Sequence, residues 1–323
     1  MKLLLAAALG IAVLLLCGGV ATWFIARAIE ARYPPVGRFV ALDGGRLHYV
    51  EAGPADREPL ATIVFLHGAS SSHADPMLAL GNRLADRYRV IAFDRPGHGW
   101  SDRIGGEAAA SPVRQAAILG EALARLNVDR AIVVAHSLAG AILTNLALNH
   151  SDIVAGTVYL APVTHPWPGG GIAWYYGPAA SSYFGWLMTR TIAAPAGFVL
   201  LDPVTRAVFA PQAPPPDYVD KARIPLALRP AVFQANAQDV AGLYDAVWAQ
   251  AARYRDIRVP TVIMSGDADD IVWTDVHSRG LARDVPGAKL VILPGVGHMP
   301  HHAAPDRVIA EIDVLAAKLT LAE

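Results

Sequence analysis

The segment Ala131-Ile-Val-Val-Ala-His-Ser-Leu-Ala-Gly140 reads as a buried strand that runs straight into a tight turn, with a helix-like stretch behind it. A continuous apolar run is the pattern of a strand covered on both faces. A strand–turn–helix with a serine at its tip presents the hydroxyl for nucleophilic chemistry. Such a turn packs a strained backbone between strand and helix, so it needs small neighbours, here Ala135, Ala139 and Gly140. A serine hydroxyl is a weak nucleophile until a base and an oriented acid stand beside it. Taken alone, Ser137 also reads as the N-cap of the following helix.

Working outward, the same buried-strand pattern recurs at Ala61-Thr-Ile-Val-Phe-Leu66, Tyr88-Arg-Val-Ile-Ala-Phe93, 156–160, Thr261-Val-Ile-Met264 and Lys289-Leu-Val-Ile-Leu293. Helical stretches at 76–87, 111–127, 139–149 and 305–318 separate several of them, with Pro112 at a first helical position behind Ser111. Strands alternating with helices predict an α/β fold, a mostly parallel central sheet with helices on both faces. Arg38–Leu42 and Arg46–Glu51 flank Asp43-Gly-Gly45 and read as a hairpin. Residues 163–250 break the pattern. They are rich in Pro, Gly and aromatics and contain no stretch that reads as a buried strand. The expected organisation is a core of residues 33–162 and 251–323, an inserted and mainly helical cap at 163–250, and an N-terminal hydrophobic helix at 1–32.

That N-terminal stretch carries no charge between Lys2 and Arg27. Roughly 20 apolar residues cross a bilayer as a helix, and Trp23, Phe24, Arg27 and Arg32 suit one interface. The run is long for a cleaved signal, and Gly19-Val20-Ala21 is a weak cleavage site. The expectation is a membrane anchor with the domain outside the cytoplasm. The alternative is a protein secreted after cleavage. With 27 basic against 28 acidic residues, a net charge of -1 creates no field for nucleic acid. One cysteine, Cys17, excludes an intrachain disulfide and a cysteine-based metal site. The oligomeric state is not encoded in any readable motif.

Three further segments carry candidate chemistry, each just after an expected strand, where the loops of a parallel sheet share one rim. His298 lies in the glycine-lined Pro294-Gly-Val-Gly-His298 and is a natural general base. Asp269, in Gly266-Asp-Ala-Asp-Asp270, is the acid that would orient it, in competition with Asp267 and Asp270. His67-Gly-Ala-Ser-Ser-Ser72 supplies backbone N–H groups, and Ala69 with Leu138 is assigned as the oxyanion hole. His67 is expected to brace that loop or contact substrate. Trp174 and Trp186 are expected to line an apolar substrate pocket, the alternatives being the cap's own core or a membrane contact. His298, His301 and His302 together could suggest a metal, but no acidic or cysteine partner stands near them in the sequence, and none is assigned.

Phe65-Leu-His-Gly68, Asp94-Arg-Pro-Gly-His-Gly-Trp-Ser-Asp102, Ala135-His-Ser-Leu-Ala-Gly140, Gly266-Asp-Ala-Asp-Asp-Ile-Val272 and Gly295-Val-Gly-His298 resemble the α/β-hydrolase fold enzymes. The resemblance covers about residues 38–162 and 251–319. It implies a cap over the site and a Ser-His-Asp mechanism on Ser137, His298 and Asp269. His298 would deprotonate Ser137, an acyl-enzyme would form and hydrolyse, and no metal or organic cofactor would take part. It departs from the usual motif in the alanines at 135 and 139 and in Trp273, where a proline is common. Serine at 137 argues against the family's epoxide hydrolases and haloalkane dehalogenases, which use aspartate. The expected activity is hydrolysis of a carboxylic ester, lactone or thioester of a fairly apolar small molecule. The competing readings are C–C hydrolysis or cofactor-free perhydrolysis and haloperoxidation by the same triad, and a non-catalytic binding protein on the same fold.

Overall fold

The computed structural model describes residues 1–168 and 172–320; Gly169 to Gly171 of the expected cap, and residues 321–323 of the second core segment, lie outside the described residues. Eight strands form one sheet in the order β1-β2-β4-β3-β5-β6-β7-β8. β1 (Arg38–Leu42) and β2 (Gly45–Ala52) are the expected hairpin and pair antiparallel, and β2 runs antiparallel to β4 (Arg89–Phe93). From β4 onward, through β3 (Thr62–Leu66), β5 (Ala131–His136), β6 (Val154–Leu160), β7 (Thr261–Gly266) and β8 (Lys289–Leu293), every pairing is parallel. β6 starts two residues earlier than its apolar run suggests. The early helix is shorter than expected, with α2 (Ala74–Pro76) passing through a π-turn at Met77–Gly81 into α3 (Asn82–Leu84).

The period of two along each strand divides the core into two layers. Val133 and Ala135 of β5 pack with Leu119 and Leu123 of α4 (Pro112–Arg125) and with Ile142 and Leu146 of α5 (Ala139–Asn149). Their neighbours Ile132 and Val134 face the other way, onto Leu80 and Leu84. Every residue of β5 and β6 is buried, as the unbroken apolar runs require.

Between β6 and β7 the described residues contain helices and no strand. They are α6 (Tyr176–Ala180), α7 (Ser182–Met188), α8 (Ala194–Phe209), α9 (Tyr218–Lys221), α10 (Pro230–Ala241) and α11 (Leu243–Gln250). After β7 the core resumes with α12 (Ser278–Asp284), α13 (Pro300–Ala303) and α14 (Pro305–Thr320), whose Ile312 and Leu315 complete the second layer.

Two buried polar junctions fasten this insertion to the sheet. Arg95, just after β4, is fully buried and pairs with Asp239 of α10 at 2.7 Å. Its other donors hold the carbonyls of His67 and Gly68 and the side chain of Gln115, and Arg103 reaches the second Asp239 oxygen at 2.8 Å. At the other junction, His277 Nδ1 accepts the backbone N–H groups of Thr164 and His165, both at 3.2 Å. Burial pushes the His277 pKa down to about 4, so the ring is neutral and free to accept. Asp94 stays charged for the opposite reason. Burial alone would raise its pKa, but the facing His73 and His48 rings outweigh burial and hold it well below the usual carboxylate range. Its carboxylate receives the N–H groups of His73 and Trp100, which folds the segment 94–102 around it.

Two stability predictions follow from the junctions. Asp239→Ala strips one partner from a buried ion pair and should cost about 3–5 kcal/mol in chemical denaturation. A loss under 1 kcal/mol would show that Arg95 does not depend on it. For His277, the folded pKa of about 4 lies below the unfolded value near 6.5. The unfolded chain therefore binds the extra proton between those values, and stability falls as pH drops through that window. His277→Asn keeps an acceptor and removes the titration. Its acid limb between pH 6.5 and 4, read from melting curves, should be shallower by on the order of 3 kcal/mol. An unchanged limb would sink the assignment.

Candidate active site

Ser137 follows β5 directly, Asp269 follows β7, His298 follows β8, and the loop 67–72 follows β3. These strands run parallel, so their carboxyl ends form one rim and the four loops converge on it.

Ser137 sits at φ +54°, in the left-handed region that a side chain rarely adopts. Such a conformation costs on the order of 1 kcal/mol and persists only where the surroundings enforce it. The enforcement is visible. Ser137 N donates to Leu160 O at 3.0 Å, and Ser137 O accepts from Gly140 N and Val163 N at 2.9 Å each. The turn fits because Gly140 has no side chain; a Cβ there would lie 2.5 Å from Pro162 Cβ. Gly68 approaches from the other side, where a Cβ would stand 3.1 Å from Ser137 Cβ. The helix-capping alternative does not describe the side chain. α5 starts at Ala139 with no side-chain cap, and Ser137 Oγ lies 3.0 Å from His298 Nε2 instead.

His298 Nδ1 lies 2.8 Å from Asp269 Oδ2. The other Asp269 oxygen accepts the N–H groups of Ile271 and Val272, each at 2.9 Å. A carboxylate held this way accepts from Nδ1–H, which leaves Nε2 as the acceptor facing the serine hydroxyl. Ser137, Asp269 and His298 are all buried. The competing acids stand apart: Asp267 is exposed and accepts Gly295 N at 2.6 Å, and Asp270 is exposed.

Two cavities flank Ser137. One, of about 220 Å³, runs from Ser137 and His298 to Asp75 and His136 on a polar side and to Val204, Val208 and Phe209 on an apolar side. The other, of about 370 Å³, is bounded by Leu138, Trp167, Ile172, Val240 and Leu243. Ala69 lines both, and Leu138 lines the second. Among the described residues neither the Ala69 nor the Leu138 backbone N–H donates to another group. The neighbouring Ser70 N–H is bound instead, 2.7 Å from Asn236 Oδ1 of α10, while Asn236 Nδ2 donates back to Ser70 Oγ at 3.0 Å.

Three expected substrate contacts lie elsewhere. His67 is fully buried, its Nε2 accepting Arg95 N at 3.0 Å, and it lines neither cavity. Its neighbours are backbone and guanidinium, so it braces the loop. Trp174 is 81% exposed and Trp186 is 53% exposed, and neither reaches a cavity. Trp174, in the turn before α6, and Trp186, on α7, point outward, whereas Trp167 and Tyr176 turn inward. The expectation that no acidic residue accompanies His301 and His302 is also corrected. Asp75 lies between them, its oxygens 3.0 Å from His301 Nε2 and 2.8 Å from His302 Nε2, and Tyr218 OH donates to it at 2.8 Å. Burial would raise the Asp75 pKa, but the two rings outweigh it and hold the carboxyl well below the usual range.

Among the described residues, two groups could by residue type hold a cation, His48–His73–Asp94 and Asp75–His136–His301. In both, ring nitrogens are already hydrogen-bonded, most of them within the group. His48 and His73 Nδ1 bond Asp94 at 2.8 and 2.9 Å, and His136 Nε2 bonds His298 O at 2.9 Å. A metal would have to displace those protons.

Sequence reasoning missed Asp75, His136, Tyr218 and Asn236. His136 had a signal, as a histidine inside the serine motif. The others had none, since each meets its partner across the fold.

Residues 63–311 match the model of the alpha/beta hydrolase family. The chain is 31% identical over 127 residues to the dihydrolipoyllysine-residue acetyltransferase component of the acetoin cleaving system of Cupriavidus necator, a match covering 39% of this chain and 32% of that protein. Among solved structures, Est816, described as an N-acyl homoserine lactone degrading enzyme, is 25% identical with a TM-score of 0.58, covering 85% of this chain and 99% of its own. A membrane phospholipase A, 21% identical, shares the fold over 99% of this chain and 97% of its own at a TM-score of 0.67. With the family model spanning the sheet from β3 to α14 and the serine turn placed after β5, the chain belongs to the alpha/beta hydrolase family.

Proposed function

We propose that this chain is a membrane-anchored serine hydrolase that cleaves a carboxylic ester, lactone or thioester of a largely apolar substrate through an acyl-enzyme on Ser137. The observation that carries the reading is the buried relay Ser137 Oγ–His298 Nε2–Asp269, at 3.0 and 2.8 Å, beside two unengaged backbone N–H groups. His298 takes the serine proton as the hydroxyl attacks the carbonyl carbon. Asp269 keeps the ring in the required tautomer and stabilises the imidazolium. The amides of Ala69 and Leu138 receive the oxyanion, where fixed donors in a dry site act most strongly. His298 then protonates the leaving group, and water repeats the sequence on the acyl-enzyme.

The His136 ring lies 4.8 Å from the His298 ring, tilted by 48°. Burial, with His301 and His298 nearby, holds its pKa well below the ordinary value, so the imidazolium forming on His298 meets no second cation. The two cavities suit the two halves of an ester, and residues 163–250 act as the cap that encloses them. Asn236 makes the cap part of the machinery, because it fixes the loop presenting the Ala69 amide. The anchor reading of α1 (Lys2–Arg32) is supported by its docking on the cap: a Cβ at Gly18 would lie 2.4 Å from Thr191 O. Cleavage near Ala21 would remove residues that lie against the cap.

A fluorophosphonate probe should label the full chain on Ser137, as mapped by mass spectrometry, and short-chain ester turnover should follow the label. Ser137→Ala and His298→Ala should each lower kcat by about 10⁴-fold or more. Asp269→Asn should lower it by about 10²- to 10⁴-fold. Asp267→Asn and Asp270→Asn should stay within about twofold. A folded, unlabelled protein without turnover overturns the reading. Asn236→Ala should lower kcat by about tenfold with little change in KM, because it loosens an oxyanion donor and not a binding contact. A rise in KM alone would remove Asn236 from that role.

A further inference from the structure

The segment from Ser182 to Leu201 contains one charged residue, Arg190, and most of its large apolar side chains point outward. Tyr183 is 92% exposed, Val199 77% and Phe198 58%, and Trp186, Ile192 and Leu200 are about half exposed. Within α8 only Ala194, Thr205 and Phe209 are buried. An apolar surface this long and continuous is unusual on a soluble protein and marks an interaction site.

Its occupant is indicated by what adjoins it. α1 packs on this part of the cap so closely that a Cβ at Gly18 would lie 2.4 Å from Thr191 O. Ile25, Ile29 and Tyr33 continue the contact onto Leu201, Leu226 and Leu228. Gly18 precedes Trp23 by five residues and Arg27, the first charge after the apolar run, by nine. At ~1.5 Å per residue, Thr191 therefore lies about 7 Å beyond the level of Trp23 and about 13 Å beyond that of Arg27, inside the apolar stretch of the anchor. A helix that crosses a bilayer there carries the cap surface into the lipid with it. Amphipathic elements that rest in a membrane bury about 5–10 Å deep, a range that overlaps this one. Arg190 fits this placement, its guanidinium stacked 4.8 Å over the Trp186 ring, because a long basic side chain can extend to the headgroups.

The same helix is a wall of the site. Val204 of α8 is 53% exposed and, with Thr205 and Val208, lines the cavity that holds Ser137 and His298. A groove of about 570 Å³ between α1 and α8, bounded by Ile25, Ile29, Phe198 and Leu201, runs along its other side. Resting on the hydrolase reading above, we propose that the α7–α8 surface is embedded in the bilayer that α1 crosses, and that substrate enters from the lipid past Val204. The substrate class is then a long-chain acyl ester resident in the membrane.

The test uses the full chain in vesicles of phosphatidylethanolamine and phosphatidylglycerol. Cys17 is the single cysteine, so Cys17→Ser with Leu200→Cys places one environment-sensitive label on α8. Native Cys17 serves as the lipid reference and Glu58→Cys as the aqueous one. The label at 200 should be quenched by brominated acyl chains as strongly as that at 17, and not by iodide. Quenching by iodide, or shielding from both quenchers as a second copy of the chain would produce, overturns the embedding without bearing on Ser137. In a second arm, Leu200→Glu should lower release of oleate from dioleoyl phosphatidylglycerol vesicles by tenfold or more, with turnover of a soluble butyrate ester within twofold of the unsubstituted chain. Equal loss on both substrates, or no loss on the vesicles, overturns entry from the lipid. Absence of turnover on either ester counts against the hydrolase reading and leaves the labelling result standing.

Discussion

The left-handed backbone at Ser137 is the constraint around which the site is built. A residue with a side chain does not hold φ +54° unaided. Three backbone hydrogen bonds fix it, two of them shared with the ends of β6 and the start of α5. Those bonds exist only because β5 and β6 lie side by side in parallel register and because Gly140 lets Pro162 approach. The sheet therefore does more than support the serine. Its register sets the turn, and the turn aims the hydroxyl at a histidine that arrives from a strand two places beyond β6.

Around this turn, buried charge does the work of alignment. Arg95 gathers the β3 loop, α4 and α10 on one guanidinium, and Asp94 gathers the β2 and β3 sides on one carboxylate. Burying such groups is expensive unless every donor and acceptor is met, and here Arg95 has partners for all of its nitrogens. The result is that the loop carrying Ala69 is held from the sheet by Arg95 and from the insertion by Asn236. How the insertion seats therefore bears directly on the loop beside Ser137.

The insertion faces three environments at once. Its inner side meets the cavities, its α10 side meets the core through Asp239, and its α7–α8 side is apolar, partly covered by α1 and otherwise exposed. Val204 belongs to both the cavity and the outer surface. One helix, α8, is thus wall on one side and outer surface on the other, beside the line where α1 packs on the insertion.

The strand–helix alternation, the serine turn, the order of serine, aspartate and histidine, the inserted helical stretch and the long apolar helix near the N-terminus were all legible in the sequence. Each is a signal carried by ten to thirty neighbouring residues, in which periodicity reports burial directly. What stands across from a buried residue has no such signature. That His298 faces Asp269 rather than Asp267 depends on how the loop after β7 folds onto the amides of Ile271 and Val272. The seat of Asp75 between His301 and His302 joins positions 226 and 227 residues apart, and the Asn236 bond to Ser70 spans 166. The cap aromatics were the hardest to read, because apolar residues on all sides of a segment give no facing direction: Trp167 turned into the cavity, Trp174 and Trp186 turned out. Local chemistry fixed which elements form and where Ser137 stands. Only tertiary packing decided its partners, because those are contacts between segments far apart in the chain.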